Sequence, residues 1–140
     1  MKRNKIIIPV LAAATFSIVA MARTPSPMGA VEYIISPAPG AEVTSPVTIR
    51  FGLKGMGVAP AGVDKPNTGH HHLLIDVTEI PVLNKPIPKD EHHKHFGGGQ
   101  TETTLELPPG EHTLQLILGD KNHVPLDPPV MSDKITITVK

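Results

Sequence analysis

Five stretches of the chain alternate apolar and polar residues with a period of two, the signature of strands with one buried face. Val47, Ile49, Phe51 and Leu53 share one side of Pro46–Leu53, and His71, Leu73, Ile75 and Val77 share one side of His70–Thr78. Thr103, Leu105 and Leu107 do so in Thr101–Leu107. His112, Leu114, Leu116 and Leu118 face inward from His112–Leu118, and Ile135, Ile137 and Val139 from Ser132–Val139. Val31–Ser36 is a less regular first strand. Pro37-Ala38-Pro39-Gly40 marks a turn, and Lys54–Gly69 a Gly/Pro-rich loop. Pro108-Pro109-Gly110-Glu111 reads as the tight turn of a hairpin between its flanking strands. Proline punctuates the whole chain, 16 residues in all, and each costs about 3 kcal/mol inside a helix. The pattern predicts an all-β fold, an immunoglobulin-like antiparallel β-sandwich of six to seven strands with an aliphatic core.

The first 22 residues stand apart. Lys2, Arg3 and Lys5 precede an uncharged apolar run from Ile6 to Val19, and Ala20-Met21-Ala22 forms an A-x-A cleavage site. This is the layout of a secretory signal peptide. The apolar run is short for a bilayer span, which needs about 20 residues, and Pro9 interrupts it. The expected organisation is a signal peptide over 1–22, a flexible lead-in over 23–30 and one domain over 31–140. The expected location is the bacterial periplasm or the outside of the cell. Removing Lys2, Arg3 and Lys5 from the 13 Lys+Arg leaves 10, against 13 Asp+Glu. A slightly acidic chain gives no electrostatic case for nucleic acid or for an anionic membrane surface. Absence of cysteine excludes disulfides, zinc–thiolate centres and blue-copper centres.

Eight histidines form the main chemical signal, in the groups His70-His71-His72, His92-His93 with His95, then His112 and His123. Strand alternation puts His70 and His72 on one face, about 6–7 Å apart, and turns His71 toward the aliphatic side. His93-Lys94-His95 repeats the H-x-H spacing. Imidazoles so spaced suit copper, zinc or nickel. His71 and His112 read as core histidines with bonded nitrogens, and His92 as a solvated loop residue. A simple up-and-down order of strands would split the groups between the two ends of the sandwich. If the long Glu79–Gln100 connection crosses back instead, His70, His72, His93, His95 and His123 converge at one edge. Unperturbed imidazoles would then lose metal affinity as pH falls through about 6.5.

The segments Gly69-His70-His71-His72-Leu73-Leu74-Ile75-Asp76, His93-Lys94-His95-Phe96-Gly97-Gly98-Gly99-Gln100-Thr101-Glu102, Pro109-Gly110-Glu111-His112-Thr113-Leu114-Gln115-Leu116 and Gly119-Asp120 with His123 resemble the DUF4399 family of exported bacterial proteins. The resemblance covers about residues 69–139. It implies export and one compact domain, and it implies no chemistry, because the family carries no assigned function.

Three function classes follow from the residues. The first is a module that binds a copper or zinc ion through His70, His72, His93, His95 and His123. Asp76, Gln100, Glu102 and Asp120 stand near enough in sequence to support those imidazoles. Met56 and Met131 are soft donors that more often fill cores. The second is a structural or partner-binding envelope domain whose histidines are hydrogen-bonded, its protein partner unspecified by the sequence. The third is a metal-dependent enzyme, with Glu102 as the one nameable base. No Ser-His-Asp order, H-E-x-x-H or phosphate loop occurs, and Gly97-Gly98-Gly99 precedes a strand rather than a helix. The sequence therefore favours a binding module over an enzyme.

Overall fold

The structure, a computed structural model, describes residues 12–15, 17 and 22–140. Most of the segment read as a signal peptide, including Ala20 and Met21 of its cleavage site, lies outside the described residues. All regular structure among the described residues is strand: β1 (Val31–Ser36), β2 (Glu42–Val43), β3 (Val47–Lys54), β4 (Gly57–Val58), β5 (Thr68–Ile75), β6 (His93–His95), β7 (Glu102–Leu105), β8 (Gly110–Gly119) and β9 (Ile135–Val139). No helix among these residues is long and apolar enough to cross a membrane. One sheet has the order β1-β3-β7, the other β2-β9-β8-β5-β4, with β6 also paired to β5. The fold is the predicted all-β sandwich, with two short parallel pairings, β2 on β9 and β4 on β5, added to the antiparallel ladders.

The alternating positions fill the space between the sheets. Val47, Ile49 and Phe51 from β3 meet Leu73 and Ile75 from β5, Leu114 and Leu116 from β8, and Ile135, Ile137 and Val139 from β9. The order of β7 and β8 departs from expectation. β7 pairs with β3, Val47 opposite Leu105, and does not form a hairpin with β8. β8 is occupied by β5 on one edge and β9 on the other, so no edge is left for β7. Pro108-Pro109 therefore arches from one sheet to the other. Val77 also departs from its predicted side. Asp76 has a φ of 57°, which breaks the alternation after Ile75. Val77 then packs beside Leu74, Ile87 and Ile117 on the opposite face.

That opposite face decides where the chemistry sits. Antiparallel sheets commonly leave one face in water. Here the connection after β5 folds over it, seats Ile87 against Leu74 and Ile117, and buries β5 from Gly69 to Ile75 on both sides. The lead-in, expected to be flexible, is instead tied down. Arg23 donates to the carbonyls of Pro125 and Leu126, Thr24 Oγ1 donates to Asp120 Oδ2 at 2.7 Å, and Pro25 bridges Asp127.

His112 staples the arch. One ring nitrogen lies 2.8 Å from Asp76 Oδ2 and the other 2.7 Å from the Pro108 carbonyl. Both partners are acceptors, an arrangement that favours a proton on each nitrogen, the imidazolium form. Burial opposes that charge, but the bonds to Asp76 and Pro108 outweigh it and raise the pKa above its ordinary value. A folded-state pKa above the unfolded one gives stability that is complete below about pH 6.5 and is lost as pH rises through the folded value. Urea unfolding of wild type and His112→Asn between pH 5.5 and 8.5 is expected to show a stability gap that narrows toward high pH. A gap constant with pH would mean that His112 is neutral in the fold.

Candidate metal centre

Each of four imidazoles reaches one point for a local reason. β5 places His70 and His72 on its outer face. Antiparallel β6 sets His95 directly opposite His72. Antiparallel β8 ends with Gly119 opposite His70, and the turn that follows returns His123 over the same place. Asp120 builds that turn: Oδ1 accepts from the amides of Asn122 at 2.8 Å and Val124 at 3.0 Å, and its carbonyl from His123 N at 2.9 Å. One ring nitrogen from each of His70, His72, His95 and His123 lies within 4.8 Å of the other three.

His70 Nε2 sits at the centre, 3.0 Å from His72 Nε2 and 3.1 Å from His123 Nδ1. A ring nitrogen has a single in-plane lobe, holding either a proton or a lone pair. It serves two neighbours at this distance only as one shared, weakened bond. The opposite nitrogens, His70 Nδ1 and His72 Nδ1, are buried without partners among the described residues, as is His95 Nε2. No protein group therefore fixes these tautomers, and a proton on Nδ1 leaves the Nε2 lone pairs of His70 and His72 free.

The protonated forms are disfavoured. Burial, aided by the neighbouring imidazoles, lowers the His70 pKa to about 4 and that of His72 to about 2. His95 is lowered as well, first by burial, then by His123 and Lys89. Protons thus stop competing for His70 and His72 well below the 6.5 of a free imidazole. Two glycines make the approach possible. A Cβ on Gly119 would stand 2.7 Å from His72 Nε2, and one on Gly97 2.3 Å from His95 Cε1. The glycine run before β7 is a close-approach loop at Gly97.

A family model described as "Domain of unknown function (DUF4399)" matches residues 49–140. The chain belongs to the DUF4399 family. The match starts about twenty residues earlier than the segment carrying the sequence resemblance and takes in most of β3 and all of β4 as well as all four clustered histidines. Comparison with curated proteins and with solved structures gave no match.

The other residues singled out in the DUF4399 sequence lie around this centre or apart from it. His93 is two positions along the ladder, opposite Leu74, with Nδ1 2.7 Å from Asp90 Oδ1. His92 is exposed and bonds the Ile75 carbonyl through Nδ1 at 2.9 Å. Of the four polar residues placed near the imidazoles in sequence, Asp120 shapes the His123 turn and makes no bond to a ring. Asp76 serves His112. Gln100 accepts from Gly98 N at 3.0 Å, and Glu102 faces Arg50 at 3.6 Å on the other sheet. Met56 packs with Leu118, and Met131 with Leu74 and Ile117, so both are core filler.

Sequence reasoning missed Glu32. It is buried in the interior and hydrogen-bonded to His71 Nδ1. Burial pushes the Glu32 carboxyl well above its usual range and the His71 ring down to about 4, which favours a neutral pair. A single Glu in an apolar strand gave no signal of this. Asp90 was missed too, although an Asp two and three residues before paired histidines is the pattern of an Asx turn. Its Oδ1 accepts from the amides of His92 and His93, both at 2.9 Å.

Proposed function

We propose that this DUF4399 protein is an exported module that holds one transition-metal ion, copper or zinc, between His70, His72, His95 and His123, in the periplasm or outside the cell. The observation that carries the reading is the position of His70 Nε2, within 3.1 Å of two further ring nitrogens that it cannot bond well at once. An ion resolves the conflict, because it accepts every lone pair. The spacing fits. At metal–nitrogen distances of 2.0–2.1 Å, neighbouring ligand nitrogens stand about 2.9 Å apart at right angles and about 3.4 Å apart in a tetrahedron, and the two contacts at 3.0 and 3.1 Å fall in that window. Neutral, buried imidazoles also suit the borderline ions. His93, bonded to Asp90, is left out of the ligand set.

The competing reading is an envelope domain in which the histidines serve hydrogen bonds alone. His71, His92, His93 and His112 each have a conventional partner, which favours that reading for those four. Calorimetric titration of untagged apo protein with Cu(II) and Zn(II) at pH 7.5 separates the two. One ion per chain is expected. Gly119→Ala, which drives a methyl group into His72, is expected to weaken binding by about tenfold or more, as for other changes that displace a ligand. No uptake of either ion leaves the hydrogen-bonded reading standing.

A further inference from the structure

Three of the four clustered histidines border a cavity. It measures about 260 Å³ and is lined by His72, His95, His123, Pro86, Ile87 and Lys89. His70 is not part of its lining. Its outer wall is fixed to the centre, because Ile87 N donates to the His123 carbonyl at 2.8 Å. The volume exceeds what a water needs, about 10–15 Å³ on this measure, and falls short of the 300–1,000 Å³ of pockets for drug-sized ligands. It suits a small molecule.

Charge indicates which kind. The lining holds three imidazoles, an apolar pair and one ammonium, and no carboxylate. Lys89 and His95 line the cavity together. Asp120 is engaged with Thr24 and the turn amides, and Asp90 with His93. A divalent ion bound by four neutral rings keeps its full charge, and Lys89 adds another at the mouth. Uncompensated charge next to an apolar wall is costly.

We propose that this cavity admits a small anion that ligates the ion from the cavity side, with Lys89 as the counter-charge; the inference rests on the metal-centre reading. The site would then be a place where a small anionic molecule and a metal ion meet, rather than a sealed store for the ion.

Cu(II)-loaded protein titrated with sodium azide, followed by visible absorption and electron paramagnetic resonance, tests it. Saturable azide-dependent changes are expected in wild type. Lys89→Gln is expected to take up Cu(II) as wild type does and to bind azide about fivefold more weakly, the upper range for an exposed charge pair. Lys89→Arg is expected to restore most of that loss. Protein that takes up Cu(II) with no spectral response to azide overturns the proposal while the metal centre stands. Equal azide affinity in wild type and Lys89→Gln overturns the role of Lys89. No Cu(II) uptake at all overturns the centre and this proposal together. An azide response that persists in His70→Ala/His72→Ala places the copper elsewhere and also overturns it.

Discussion

Protein carrying His70→Ala and His72→Ala together is expected to lose its high-affinity metal site, with affinity for Cu(II) or Zn(II) down by more than about a hundredfold. Displacing groups that merely support a ligand costs about 10- to 100-fold, and this change deletes two ligands outright. They are also the two best fixed. Both stand on a strand hydrogen-bonded along both edges, so little side-chain freedom remains to be lost when an ion binds. The inner face of β5, with Leu73 and Ile75 in the main core, is untouched, so the far-ultraviolet dichroism is expected to stay that of a β protein. His93→Ala is the matched control. It changes an imidazole two residues from His95 but outside the cluster, and is expected to leave affinity unchanged. Wild-type affinity in the double variant, or a loss in His93→Ala as large as in the double variant, would refute the assignment of ligands.

Leu116→Ala is expected to destabilise the fold by about 2–5 kcal/mol. Leu116 is fully buried on β8, opposite Leu73 on β5, in the cluster that β3 completes from the other sheet. Truncation leaves a cavity that strands locked in ladders on both edges fill poorly. Against the 5–15 kcal/mol of a typical domain, the loss is a large share of the total. The urea midpoint measures it. A shift equivalent to less than 1 kcal/mol would mean that this part of the core collapses around the gap.

How much of this was legible in the sequence depends on the range of the interaction that decides each feature. The strands of β3, β5, β8 and β9 follow from alternation, because burial of one face is a local pattern. The pairing of His70 with His72 follows from the same rule. Glu32 runs against it. β1 turns Val31, Tyr33 and Ile35 outward, 46%, 44% and 56% exposed, and Glu32 inward at 1%. Apolar patterning would choose the reverse, and the choice is made by His71, which waits across the core. The arch at Pro108-Pro109 has the composition of a hairpin turn. Only the occupied edges of β8, a fact of tertiary structure, rule the hairpin out. His93 and His95 share the spacing of His70 and His72, yet only His95 joins the cluster, because Asp90 holds His93. The Lys89 cavity had no sequence signal, since its walls are drawn from separate segments.

The four clustered histidines come from three segments far apart in the chain: β5, β6 and the turn after β8. A shared ion would therefore cross-link them, closing one loop between His72 and His95 and another between His95 and His123. By the loop-closure argument used for disulfides, loops of this length are worth on the order of 3 kcal/mol each through the unfolded chain. In a protein without cysteine, this is a reversible staple. Its strength would follow the supply of the ion, so the fold itself would stiffen or loosen with metal availability.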